Sequence, residues 1–233
     1  MFAARNTLFA GVLRYLLDYN FLQGFPAELT HARASGATLV DESGNVVWAD
    51  ENLVPYSDFS IGWTSSRATL ASDGSSTPTD AVAYSITEDM TASNSHYVRE
   101  TLADYTGAIV TLSCYFKASG RNQGFLANNH GGGSSQRVSV FDLSTGAVVF
   151  DGVDVLSSGM EDVGDGWYWC WVTSVASNTL YDVGGAVANS AFYAADGRES
   201  VLITGAKVQR GTVQPFVATA GSVYHAPRIT HDS

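Results

Sequence analysis

Hydrophobic and polar residues alternate with a period of two along much of this chain, which is the spacing of a β-strand. The clearest run covers residues 108–118, in which Ala, Val, Leu, Cys, Phe and Ala alternate with Thr, Ser, Tyr and Lys. Only Ile109 interrupts the polar side. The pattern predicts an antiparallel strand with one face in a hydrophobic core and the other face in water.

A second run, residues 166–173, carries tryptophan at every other position, as Trp167, Trp169 and Trp171. In a strand these indoles share one face, while the intervening Tyr, Cys and Val residues share the other. A strand that is hydrophobic on both faces is either buried between two layers or carries an aromatic surface on the outside. The second arrangement suits flat ligands such as sugar rings, and the pattern leaves both arrangements open.

Seven further hydrophobic runs are separated by clusters of Gly, Ser, Asn and Asp, which are turn formers. Their spacing predicts an all-β fold, namely a two-sheet antiparallel β-sandwich. No repeat of about 20 to 50 residues is present, so a solenoid or a propeller is not expected. The seven additional predicted strands are 81–87, 96–102, 124–128, 137–143, 147–150, 181–188 and 200–208.

The N-terminal part of the chain has a different pattern. Leu13, Leu16, Leu17 and Phe21 lie at near-helical spacing. This spacing predicts either a short helix packed on the domain or a segment that docks on a larger assembly. The apolar stretch 8–13 is too short for a membrane span or an export signal, so we expect cytoplasmic synthesis and no membrane insertion.

Residues 39–48 consist of two short apolar runs around a Glu-Ser-Gly-Asn turn, which predicts a β-hairpin. The predicted domain organisation has three parts. They are a docking segment with this hairpin at 1–51, a β-sandwich at 52–219 and a polar tail or linker at 220–233.

Charge and cysteine content narrow the class of function. The formal net charge is −11, and the acidic residues are dispersed along the chain. A nucleic-acid-binding face requires clustered Lys and Arg, so no nucleic-acid partner is expected. Cys114 and Cys170 fall on the hydrophobic sides of their predicted strands. They are predicted to be reduced core residues, with a buried cross-strand disulfide as the alternative.

Catalytic motifs are missing from the sequence. There is no Gly-x-Ser-x-Gly motif, no nucleotide-binding glycine pattern and no histidine pair with metal-ligand spacing. Most acidic residues, including Glu161 and Asp162, fall in predicted turns rather than in a pair suited to glycoside hydrolysis. We therefore expect no catalytic residue, no metal, no cofactor and no enzymatic activity. The loop 128–135 is interpreted as a connector, with Asn129 as a candidate contact to a ligand.

Several segments resemble, in order, the motifs of one protein family. Residues 29–44 resemble its "TRAS-ATYVD-NG" segment, residues 52–63 resemble "NLL-YSE-FS-W", and residues 165–172 resemble "DGWYRVWV". Taken together, the motifs resemble the virion appendage proteins of tailed bacteriophages, which are head or tail fibres, spikes and decoration proteins. The other matches are residues 114–119 with "-VYLKAG", 203–209 with "-WGAQLE", 215–222 with "-SYIPTSG" and 224–232 with "PRFDYDP".

The resemblance covers residues 29–233. It implies a jelly-roll sandwich like that of carbohydrate-binding modules, preceded by a short anchoring segment. It also implies a place in the virion after assembly in the host cytoplasm, a homotrimer, and contact of the N-terminal segment with other phage structural proteins. The chain departs from the family at Trp169 and Cys170, where Arg and Val are usual, and at Thr204, where Trp is usual. No ligand-binding residue is carried over.

These observations lead us to expect a non-enzymatic phage virion protein whose β-sandwich attaches to host-surface glycan. One alternative is a capsid- or tail-stabilising decoration protein that binds no glycan, and another is a glycan-processing enzyme. Because Trp169 replaces the usual Arg of the family, it is the indole most particular to this protein. The candidate ligand-binding residues are Trp167, Trp169, Trp171, Tyr115, Lys117 and Asn129.

Overall fold

The computed structural model describes residues 38–40, 46–128 and 136–226, without the side chains of residues 39, 40 and 47. All of these residues belong to one compact unit of the chain, residues 33–233. The predicted docking residues and the predicted ligand contact in the loop 128–135 lie outside the described ranges. They are Leu13, Leu16, Leu17, Phe21 and Asn129.

Within the described ranges the chain forms sixteen β-strands and no helix. Numbered in chain order, the strands are β1 (Thr38–Val40), β2 (Val46–Trp48), β3 (Glu51–Asn52), β4 (Thr64–Ser66), β5 (Ala68–Asp73), β6 (Ala83–Glu88), β7 (Tyr97–Thr101), β8 (Ile109–Ala118), β9 (Gln123–Asn128), β10 (Val138–Asp142), β11 (Ala147–Asp151), β12 (Val155–Gly164), β13 (Trp167–Val175), β14 (Leu180–Ala186), β15 (Glu199–Arg210) and β16 (Tyr224–His225).

Most strands belong to two six-stranded antiparallel sheets. The sheet that contains the tryptophan strand β13, here called the tryptophan sheet, has the order β12-β13-β8-β15-β6-β5. The opposing sheet has the order β11-β10-β9-β14-β7-β4. Two small sheets complete the set. One is the predicted hairpin β1-β2, and the other pairs β3 near the start of the described chain with β16 near its end.

Eight of the strands follow jelly-roll order. Consecutive long strands mostly alternate between the two sheets, so that β13-β8-β15-β6 form the centre of one and β10-β9-β14-β7 the centre of the other. This interleaving of two Greek keys is the strand order of a jelly roll. The predicted all-β, two-sheet antiparallel β-sandwich is therefore confirmed for the described residues.

The hydrophobic core lies between these two sheets. Phe116 on β8 and Phe141 on β10 meet across it, with ring centroids 6.4 Å apart. Gly124 on β9 permits this packing, because a Cβ at that position would lie 2.8 Å from the Phe116 ring. Each large apolar side chain buried in this way contributes about 1.5 to 3 kcal/mol. The tryptophan sheet directs Val110, Leu112, Cys114, Phe116, Cys170, Val172, Val201 and Ile203 into the core.

All nine strands predicted from the alternating pattern are present, with ends shifted by at most two residues. The prediction of a water-facing side on β8 was wrong at the centre of the strand, where Thr111 and Ser113 are buried. The Thr111 hydroxyl donates to the carbonyl of Gly211 at 2.7 Å and lies 2.8 Å from the Thr173 hydroxyl. The chain that follows β15 thus covers this face, and a single-strand pattern cannot reveal such a long-range contact.

The placement of Glu161 and Asp162 in a turn was also wrong, because both residues lie in β12. This strand forms an edge of the tryptophan sheet and pairs only with β13 among the described strands. Both of its faces are largely solvent-accessible. An edge strand of this kind buries little, so its Ser, Gly and acidic residues show no hydrophobic periodicity.

The two cysteines are free and buried, which confirms the prediction of reduced core residues. Cys114 on β8 and Cys170 on β13 are direct cross-strand neighbours. Burial raises the pKa of both thiols well above the ordinary value. Both therefore stay protonated at neutral pH and behave as small hydrophobic side chains.

Candidate functional site

The candidate site is the outer face of the tryptophan sheet, which is the side turned away from the core. Tyr168, Cys170 and Val172 pack toward the core, so the three tryptophans of β13 face outward, as their spacing predicts. The antiparallel register with β8 places Trp167 opposite Lys117, and Trp169 opposite Tyr115. Five of the six candidate ligand-binding residues therefore share this face.

Trp167 is buried, with only 1% of its surface exposed. Its indole N–H donates to the backbone carbonyl of Ser76 at 2.9 Å, and its ring packs with Ala83 and Leu202. The Lys117 Nζ atom lies 5.9 Å from the centroid of the Trp167 ring. Trp167 has no exposed ring surface for a ligand. Of the two arrangements predicted for the tryptophan strand, this residue therefore adopts the buried one.

Trp171 is partly exposed, and its orientation depends on a glycine of the neighbouring edge strand. Gly159 on β12 is the cross-strand neighbour of Trp171. A Cβ at position 159 would lie 2.2 Å from Cζ2 of the indole, a distance that no packed structure tolerates. The indole therefore extends over the backbone of β12, and the absence of a side chain at Gly159 makes room for it.

Trp169 lies between Trp171 and Tyr115. Its ring centroid is 5.3 Å from that of Trp171 at an interplanar angle of 48°, and 6.3 Å from that of Tyr115 at 23°. Among the described residues, no hydrogen-bond partner reaches the buried Nε1 atom of Trp169. A buried donor without an acceptor costs about 1 to 3 kcal/mol. Trp169 is thus held by ring packing alone.

Tyr115 is enclosed from two sides. The Phe216 ring meets it edge-on, with centroids 5.7 Å apart and an interplanar angle of 85°. Gly205 lies under the tyrosine ring, where a Cβ would be 2.8 Å from Cδ2, and its backbone has a positive φ of 62°. Burial raises the pKa of the Tyr115 hydroxyl, and the nearby negative charge of Glu161 contributes to the shift. We call Tyr115, Trp169, Trp171 and Phe216 the aromatic face.

A buried lysine holds the segment that carries Phe216. Lys207 on β15 is fully buried, and its Nζ atom donates to Asp50 at 2.6 Å and to the carbonyl of Pro215 at 2.5 Å. Burial lowers the pKa of Lys207, while the charge of Asp50 opposes that shift. Asn52 donates to the carbonyl of Val217 at 2.8 Å. These two bonds flank Phe216 and fix it beside Tyr115.

Two charged groups lie beside the aromatic residues. Glu161 is exposed on β12 and is the cross-strand neighbour of Trp169. Within the described part of the chain, no hydrogen bond or ion pair engages its carboxylate. Lys117 lies on β8, on the other side of β13 and next to the buried Trp167. The aromatic face thus has the Glu161 carboxylate on its β12 side, near the partly exposed Trp171, which we call its open side. The Lys117 ammonium group lies on the other side of β13, near the buried Trp167.

Sequence reasoning found the tryptophans, Tyr115 and Lys117, but it missed Gly159, Glu161 and Phe216. The turn between β12 and β13 gives only an approximate signal for the first two. Asp165 and Gly166 form this turn, and counting back from it places residue 160 opposite Trp171. A register shift between Asp162 and Gly164 instead places Gly159 there. Phe216 has no comparable signal, because it reaches Tyr115 only through the tertiary fold.

A second polar cluster lies at one end of the sandwich. The buried carboxylate of Glu88 accepts hydrogen bonds from Arg121 and from the Tyr193 hydroxyl, the latter at 2.7 Å. Arg121 also contacts Asp196, and hydrogen bonds from Arg198 lower the pKa of Asp196 to about 2. The two carboxylates are therefore engaged by arginines, an arrangement typical of a structural ion-pair network. Glycoside hydrolysis instead needs a carboxyl group that stays protonated.

The described residues contain no group of three or more His, Cys, Asp or Glu side chains that could hold a metal ion. No helix suited to crossing a membrane is found in the described ranges. In comparisons of sequence, no protein-family model and no curated protein matches the chain.

Proposed function

We propose that the protein is a non-enzymatic carbohydrate-binding β-sandwich that uses the aromatic face to hold a sugar ring. The observation that carries the proposal is the position of Trp171, whose partly exposed indole extends over Gly159 beside Trp169. An indole held in this way offers a flat apolar surface to the C–H groups of a pyranose. The neighbouring carboxylate of Glu161 can accept hydrogen bonds from sugar hydroxyls.

The geometry supports binding better than catalysis. Three of the four rings of the aromatic face lie on β8 and β13, and strands position side chains better than a loop does. Polar groups at the margin of an apolar surface are typical of sites that fix the orientation of a ligand.

On the resemblance to tailed-phage appendage proteins, we further propose that this binding face belongs to a fibre, spike or decoration protein of a virion. In this proposal the N-terminal segment docks on other phage structural proteins, the assembled protein is a homotrimer, and the aromatic face attaches to host-surface glycan. The jelly-roll strand order supports the proposal, since carbohydrate-binding modules commonly use that architecture.

The test is glycan binding by wild type and by Trp171→Ala, first on a glycan array and then by calorimetry with the best ligand. We expect Trp171→Ala to weaken binding at least tenfold, which corresponds to about 1.4 kcal/mol. Met90→Ala is the matched control, because Met90 is 80% exposed and lies in the loop between β6 and β7, away from the aromatic face. Circular dichroism spectra should be the same for all three proteins.

Two results would count against the proposal. If wild type binds no glycan while Trp171→Ala abolishes particle assembly, the aromatic face is a contact between subunits of a decoration protein. If incubation with host polysaccharide shortens the polysaccharide chains, the protein is a glycan-processing enzyme.

A further inference from the structure

A negative charge lies beside the partly exposed indoles of Trp169 and Trp171. Glu161 and Gly159 are two residues apart on β12, so their side-chain positions lie on the same face, about 6.6 Å apart along the strand. Because Trp171 extends over Gly159, its indole lies next to the Glu161 position. Trp169 is the direct cross-strand neighbour of Glu161. One free carboxylate therefore adjoins both tryptophans.

The positive charge of Lys117 does not compensate this carboxylate. Lys117 is opposite Trp167 on β8, whereas Glu161 is on β12, so the strand β13 separates them. The Lys117 ammonium lies against the Trp167 ring and interacts electrostatically with Asp73. The chain as a whole is also acidic, with a formal net charge of −11. Anionic polysaccharides are therefore repelled from the open side of the aromatic face.

We propose that the aromatic face selects glycans that carry a free amino group, and this inference rests on the proposed function. An ammonium group is attracted by the electron-rich face of an indole, and a carboxylate within reach adds a charge-assisted hydrogen bond. Trp169, Trp171 and Glu161 supply these two elements together. The ligand class is therefore an amino sugar that is not acylated, such as a deacetylated hexosamine, rather than an acidic or fully acetylated saccharide.

The experiment compares two ligands with the same backbone, namely a chito-oligosaccharide and its fully deacetylated form, with alginate as the acidic ligand. At about 20 mM salt we expect wild type to bind the deacetylated form about three- to fivefold more tightly than the acetylated form. The preference should shrink in about 1 M salt, where the screening length is about 3 Å. Alginate should bind more weakly than either.

Glu161→Gln should abolish the preference for the deacetylated ligand, because it should weaken binding of that ligand more than binding of the acetylated one. The matched control is Asp162→Asn, which removes the same charge from the adjacent position on the opposite face of β12. The oxygen of asparagine can still accept the hydrogen bond that Asp162 receives from the Gly164 N–H group at 2.8 Å. This control should keep most of the preference.

The outcomes distinguish this inference from the proposed function. Equal binding of the two chito-oligosaccharides, tighter binding of alginate, or a preference that survives in Glu161→Gln overturns the amino-sugar inference alone. Failure of wild type to bind any saccharide, in these assays and on the glycan array, overturns the proposed function together with the inference.

Discussion

The indole of Trp171 occupies the space in which a side chain on Gly159 would begin, since a Cβ there would lie 2.2 Å from Cζ2. The two residues are cross-strand neighbours on β13 and β12. A glycine on the edge strand therefore decides how an aromatic side chain of the next strand presents itself to solvent. The proposed binding surface depends on this missing side chain as much as on the ring.

Gly159→Ala should displace the Trp171 indole and weaken saccharide binding as strongly as Trp171→Ala does. We also expect a loss of about 1 to 3 kcal/mol in the free energy of unfolding, the usual cost of forcing an extra methyl group into a packed position. Gly74→Ala is the control, because a Cβ at Gly74 meets no atom within 4 Å. That variant should stay within about 0.5 kcal/mol of wild type in urea denaturation. A Gly159→Ala protein with normal binding would show that the position of Trp171 is unimportant.

Trp167→Phe and Trp169→Phe should differ in their effect on stability. Trp167→Phe removes the N–H donor to the Ser76 carbonyl and opens a gap in a buried site, so we expect a loss of about 2 kcal/mol. Trp169→Phe removes a buried donor to which the described residues offer no acceptor, so it should cost about 1 kcal/mol or less. Urea denaturation of the two variants tests whether Trp167→Phe loses more unfolding free energy than Trp169→Phe. A larger loss for Trp169→Phe would contradict it.

Glu51→Gln should destabilise the protein at pH 7, and the difference from wild type should shrink in acid. The buried carboxylate accepts two side-chain hydrogen bonds from Arg210, at 2.8 Å and 2.6 Å. Although burial opposes ionisation, the hydrogen bonds and charge of Arg210 keep the pKa of Glu51 below its ordinary 4.5. The carboxylate therefore stabilises the fold above pH 4.5, and this contribution is lost as the pH falls through the lowered pKa.

At pH 7 the expected loss for Glu51→Gln is about 3 kcal/mol, because the substitution leaves Arg210 without its anion. Chemical denaturation of both proteins from pH 7 down to pH 3 measures the difference. A gap that stays constant across this range would mean that the charge of Glu51 contributes nothing.

Glu100→Gln should stabilise the protein at pH 7, whereas Glu51→Gln should destabilise it. Burial raises the pKa of Glu100, while a hydrogen bond from the Thr101 N–H group opposes that shift. Ionisation of this carboxyl group therefore works against folding, and its cost appears as the pH rises from 4.5 through the raised pKa. We expect Glu100→Gln to be more stable than wild type at pH 7 and equal to it below pH 4. The same denaturation series checks this, and a less stable variant at pH 7 would refute it.

Most strands that bury residues could be predicted from the sequence, and the edge strands of the tryptophan sheet could not. β8 and β13 place hydrophobic residues at every second position because one face of each enters the core. β12 and β5 are the edges of the same sheet and bury little, so alternation is limited to Ala68 and Leu70 in β5 and is absent from β12. Edge strands are held by hydrogen bonding to a neighbour, and that neighbour is not visible in the pattern of one segment.

The candidate site could be predicted only in part, for a related reason. Alternation shows that three indoles share a face, but it does not show what covers that face. Ser76, which buries Trp167, lies 91 residues away in sequence. Phe216 reaches Tyr115 because Lys207 and Asn52 hold its segment against the sheet. The tertiary fold therefore determines which tryptophan side chain remains accessible to solvent.

The buried, free thiols of Cys114 and Cys170 have a practical consequence. They are the only cysteines in the chain, both are buried, and both are held in the protonated, unreactive form. The native protein is thus nearly inert toward thiol reagents without any substitution. One cysteine introduced at an exposed position beside the indoles would then be labelled selectively with a fluorophore or a spin probe. Ligand contact at the aromatic face could be followed in solution on the otherwise unaltered protein.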